Sequence, residues 1–165
     1  MDEHGQQRRR RPPTDFTAAI YGTILVGGVV AGFGHHEAEA STVTLSVLGS
    51  AAVFWLAHVW AHAMSERVND PRGFSHAAFL RIARSEWPMV QAATLPIVPL
   101  LLAWAGAIED DTGIDAALAI VVLQLAAWGL LVGRRTFEAW PLALVSGLIN
   151  GAFGLAIVVL KTLIH

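Results

Sequence analysis

Apolar residues fall in five long blocks along the chain, at 16–34, 43–64, 88–108, 114–133 and 139–161, with short polar segments between them. An apolar run of about 20 residues is what a helix needs to cross the ~30 Å hydrocarbon core of a bilayer. The pattern predicts an all-α transmembrane helical bundle of five spans. Residues 1–15 read as a disordered polybasic tail, and 16–165 as one transmembrane domain. Between spans 2 and 3 the pattern changes. Asn69-Asp70-Pro71-Arg72-Gly73 reads as a turn, and 74–86 as a short amphipathic helix capped by Ser75. Phe74, Ala78 and Ile82 share one side of it, and Arg81 and Arg84 lie nearby, so it is expected to rest in the interface with its basic side toward headgroups.

The third block contains Pro96 and Pro99, which predict a kink or an opened hydrogen-bond ladder. Thr112 with Asp115 resembles a capping box for the fourth helix. Gly28 and Gly32 in the first block, and Gly147 and Gly151 in the fifth, stand four apart, a spacing that lets helices approach closely. Gln124 and Asn150 sit near the centres of spans 4 and 5, as interhelical hydrogen-bonding groups. The first block also admits a second reading. An arginine-rich start, an apolar run and Ala38-Glu39-Ala40 before Ser41 have the layout of a cleavable signal peptide.

Composition reinforces the membrane class: 55% of residues are hydrophobic and 15% charged, against about 25% charged in soluble domains. The absence of cysteine removes disulfides, thiolate metal sites and cysteine nucleophiles. Net charge is −2, but the charges are unevenly placed. With the amino terminus inside, Arg8 to Arg11, Arg67, Arg72, Arg81, Arg84, Arg134 and Arg135 all fall on cytoplasmic segments. These are ten of the eleven Lys and Arg, Lys161 being the exception. Glu37, Glu39, Glu109, Asp110, Asp111 and Asp115 fall on outer turns. Basic residues in short loops set topology, so the expected arrangement is amino terminus in and carboxyl terminus out. The Arg8–Arg11 patch is suited to anionic lipid headgroups; nothing aromatic or folded accompanies it to suggest nucleic acid.

Candidate chemistry centres on the second block, which has no Asp, Glu, Lys or Arg from 43 to 64 yet holds His58 and His62. On a helix these two histidines and Glu66 form one row, and ionisable groups within a span mark candidate functional sites. A His58–His62–Glu66 face is suited to passing protons or holding a divalent metal cation. It is equally suited to a buried network bonded to Glu86, Gln91 or backbone carbonyls. Val59 follows His58 where a zinc-protease helix carries Glu. A bis-histidine haem would need a second intramembrane histidine, which spans 1, 3, 4 and 5 lack. His35, His36 and Glu37 form a second candidate metal group on the outer side.

Ala19 to Val26, Val53 to Val59, Glu86-Trp87-Pro88 and the closing stretch 151–165 resemble a group of small multi-spanning bacterial membrane proteins with no known activity. The resemblance implies the bacterial inner (plasma) membrane and supplies no reaction. The residues lead first to a non-enzymatic accessory, scaffold or homo-oligomeric membrane protein. A proton or metal pathway comes second, and an intramembrane metal-dependent enzyme third.

Overall fold

A computed structural model describes residues 16–33, 38–69, 75–137 and 139–164. Among these residues every regular element is helical. In chain order they are α1 (Thr17–Ala31), α2 (Ala40–Asn69), α3 (His76–Ser85), α4 (Trp87–Gln91), α5 (Ile97–Trp104), α6 (Asp110–Thr136) and α7 (Trp140–Ile164). Three of them, α2, α6 and α7, are long and apolar enough to cross a membrane. Two of the five expected spans are therefore not single membrane-length helices. With 15 residues, α1 is about 22 Å long at 1.5 Å per residue, and the third block is divided between α4 and α5.

The division follows from the prolines. Pro96 has no N–H to give the Ala92 carbonyl, and Pro99 has none for Leu95. Residues 92–96 form turns instead of α-helix, with Val98 N–H donating to Leu95 O at 3.3 Å. The orphaned Ala92 carbonyl takes its hydrogen bond from another element, from Gln124 Nε2 on α6, at 3.1 Å. A side chain on a neighbouring helix thus satisfies the backbone group that proline left bare. Past α5, Gly106 adopts φ 75°, and Gly106 N–H reaches Ala103 O while Ala107 N–H reaches Leu102 O. This is the paired closure of a glycine-terminated helix.

The start of α6 lies four residues before the expected one, with Glu109 extended at the N-cap. Thr112 is inside the first turn, so no Thr112–Asp115 box opens the helix. Asp110 and Asp111 occupy that first turn and Arg134 and Arg135 the last, each sign at the end of the helix dipole that favours it.

Helix α1 runs through the middle of the bundle, against α2, α4, α6 and α7. Its buried positions come in adjacent pairs, Ala18-Ala19, Gly22-Thr23, Val26-Gly27 and Val30-Ala31, leaving Thr17, Tyr21, Ile24 and Gly28 as an exposed stripe. Val26 and Val30 meet Val43 and Val47 of α2, Leu100 of α5, and Ile114, Leu118, Val121 and Leu125 of α6 in the main core. The α6–α7 hairpin is antiparallel and close. A Cβ built on Gly133 would stand 2.7 Å from Ala143 Cα, one on Gly129 2.6 Å from Ser146 O, and one on Gly154 2.9 Å from Val122 Cα.

Candidate functional site at the end of α2

Ser75 caps α3, accepting a hydrogen bond from Ala78 N–H at 3.3 Å. Ala78 and Ile82, one turn apart, are the buried positions of this short helix. Ile82 packs with Val59 and Ala63 of α2 in a second, smaller core that Trp55, Phe79 and Ala83 border. The helix is therefore held against α2 while its Arg81 and Arg84 stay exposed. It folds back along the end of α2, and the polar side chains of α2 become its attachments.

Each of those side chains has its own partner. His62 Nδ1 lies 2.8 Å from Glu86 Oε1, and Glu86, 7% exposed, is the one buried ionisable residue among those described. Arg81 Nη2 donates to Glu66 Oε1 at 2.5 Å. Trp55 Nε1–H donates to Ala83 O at 3.1 Å, and its ring meets Trp87 edge-on with centroids 5.8 Å apart. His58 Nδ1 is 3.0 Å from Phe54 O; a carbonyl only accepts, so that nitrogen donates. The imidazole also leans on Tyr21 of α1, ring centroids 5.0 Å apart.

His58, His62 and Glu66 thus share a helix face without converging on one point: His58 turns to α1 and its own backbone, His62 to the α3–α4 junction, Glu66 to α3. Among the described residues, no group of three or more His, Cys, Asp or Glu side chains is placed to hold a metal ion. His35, His36 and Glu37 lie outside the described residues. Beside them, Glu39 Oε2 accepts from Ser41 Oγ at 3.1 Å.

The other polar and small residues singled out by the sequence have separate places too. Asn150 Nδ2 donates to Ser146 O of its own helix at 2.9 Å, and Gln124 to Ala92 O, so these two meet neither each other nor His58. Gly147 and Gly151 face α6, where an added Cβ would come 3.2 Å from Ala126 O and 3.3 Å from Ala126 Cβ respectively. This pair fits the chain's own hairpin. Gly28 has nothing within 4 Å, and a Cβ on Gly32 would meet only carbonyls of its own helix. Within one chain the close approaches of α1 are instead made by Gly22, whose added Cβ would run into Met89 O, and Gly27, whose added Cβ would stand 2.8 Å from Val121 Cγ1. Gly129-x-x-x-Gly133, with the same spacing as 147 and 151, is a further close-packing pair.

No protein-family model, curated protein or solved structure matches the chain.

Proposed function

We propose that this chain is a five-span, non-enzymatic accessory or scaffold protein of the bacterial plasma membrane, amino terminus in the cytoplasm and carboxyl terminus outside. The observation that carries the functional part is the use of the polar row on α2. His62, Glu66 and Trp55 attach to α3 or its junction with α4, as a docking surface does, whereas a conduction path needs groups that face one another in series. Thirty residues make α2 about 45 Å long, some 15 Å more than the hydrocarbon core. Its last ten residues then stand at and beyond the membrane face, with α3 as a basic ledge against them. Arg81 is partly exposed there, and Leu80 (41%) and Arg84 are open to an incoming partner.

Five crossings are favoured by the charge pattern and by the central position of α1. The 18 residues of 87–104 supply a broken crossing whose open carbonyl is satisfied internally, the condition for irregular backbone at membrane depth. The bacterial setting rests on the resemblance of 19–26, 53–59, 86–88 and 151–165.

Flux in proteoliposomes tests the functional part. Proton- or divalent-cation-loaded vesicles holding the native chain are expected to leak no faster than empty ones, and His58→Ala/His62→Ala to change nothing. A flux that the double substitution removes would replace the scaffold with a pathway. A photo-crosslinker at Leu80 in intact cells gives the positive arm: one discrete adduct with a second membrane protein is expected, and labelling of lipid alone contradicts it.

A further inference from the structure

The outward face of α6 carries a groove of about 460 Å³, lined by Ile120, Leu123, Ala127, Trp128 and Leu131 with Leu95 from the turn before α5. Gln124 floors it while holding the Ala92 carbonyl. Positions 120, 124, 127 and 131 recur at steps of four, three and four, so they share one face of the helix. That row continues directly to Arg134 and Arg135, three and four residues past Leu131. Aromatic rings flank both cations. The Arg134 guanidinium carbon lies 3.8 Å from the Trp140 ring centroid, and that of Arg135 4.7 Å from the Phe16 ring. Phe16 in turn stands 5.7 Å from Trp128, in the groove wall. A path of ring contacts, Trp128 to Phe16 to Arg135, therefore joins the apolar groove to one guanidinium, and Arg134 beside it stands on Trp140. The indole N–H of Trp128, at that same end, is buried without an acceptor from the protein.

We propose that this groove is a specific site for one anionic diacyl phospholipid, an acyl chain along α6 and the phosphate on Arg134 and Arg135. Length favours this occupant. Ile120 to Leu131 is about 16 Å at 1.5 Å per residue, half of the ~30 Å hydrocarbon core and so the depth of one leaflet. A partner helix would need a track running on past the midplane. Charge at only one end is the asymmetry of a lipid, and guanidinium is the side-chain group best matched to phosphate. Such a site needs only that α6 be membrane-embedded, whatever the number of spans and their direction.

The test is native mass spectrometry of the full chain in detergent, titrated with palmitoyl-oleoyl phosphatidylglycerol or with phosphatidylcholine of the same acyl chains. One tightly retained phosphatidylglycerol per chain is expected. Basic residues near an anionic surface are worth about fivefold each, so R134Q/R135Q is expected to weaken that binding about 25-fold, to the phosphatidylcholine level. A127W, which fills the groove, is expected to remove retention of both lipids. Replacing Arg8 to Arg11 by Gln is expected to leave the single site intact. Undiminished preference in R134Q/R135Q, or a preference that vanishes only with the tail arginines, overturns the proposal. So does a dimer that A127W dissociates without any dependence on phosphatidylglycerol, which would make the groove a surface for a second copy.

Discussion

Adding one methyl group to chosen glycines separates the helix contacts made inside one chain from those the spacing rule alone would suggest. At Gly129 an added Cβ would stand 2.6 Å from Ser146 O and 2.7 Å from Asn150 Cβ, and at Gly133 2.7 Å from Ala143 Cα and 2.8 Å from Ser146 Cβ. Two of these four neighbours are backbone atoms, so α7 itself must move. Overpacking of this kind costs about 1–3 kcal/mol per site, while Gly→Ala within a helix returns about 1 kcal/mol of propensity. Taking the middle of the range, each substitution nets about 1 kcal/mol and G129A/G133A about 2 kcal/mol of destabilisation. G28A has open space and only the propensity term, so it is expected to be neutral or up to about 1 kcal/mol stabilising. Equilibrium unfolding in mixed micelles, titrated with SDS and followed by helix content, reads both. A G129A/G133A protein as stable as the native chain would rule out a tight α6–α7 approach at these glycines, and a G28A protein weakened to the same degree would rule out open space there. The second outcome would mean that Gly28 meets another molecule.

Further outcomes follow from individual contacts. Q124L removes the donor to Ala92 O and is expected to cost about 0.6–2 kcal/mol. P96A restores a backbone N–H to that carbonyl, so Q124L in the P96A background should cost measurably less; full additivity in the same micelle titration would show that the two do not share the acceptor. H62A leaves the buried Glu86 carboxylate without its imidazole, and is expected to free α3 so that amides of 76–85 exchange at least tenfold faster with deuterium, whereas unchanged exchange there would remove His62–Glu86 as an attachment. E66Q, at a partly exposed pair with Arg81, is expected to have a smaller effect on the same amides, below about 1 kcal/mol.

The long apolar blocks reveal the helices because a lipid-facing helix must be apolar nearly all round, and α2, α6 and α7 coincide with three of those blocks. Their ends are less legible. The first turn of α6 is made of Asp110 and Asp111, residues that read as an outer loop by charge although the helix dipole welcomes them. The third block reads as one span by hydropathy, and Pro96 and Pro99 give the warning. What no local pattern can state is that Gln124, more than 25 residues later, supplies the missing hydrogen bond. The site shows the same division. The row His58–His62–Glu66 is visible from spacing four, as is the nearness of Glu86 at the mouth of the next helix. Which partner each side chain takes depends on α3 folding back onto α2, where Ile82 packs on Val59 and Ala63. Glycine spacing was equally ambiguous: 28/32, 129/133 and 147/151 share one motif, and only the packed chain distinguishes the pairs with a helix against them from the pair without.

Because the chain contains no cysteine, single substitutions give clean reporters of sidedness in intact cells. Q6C, A107C, T136C and H165C, labelled with a membrane-impermeant maleimide before and after permeabilisation, test the five-crossing arrangement directly. Labelling of A107C and H165C is expected from outside, and of Q6C and T136C only once the membrane is opened. Q6C and H165C reacting from the same side would contradict it.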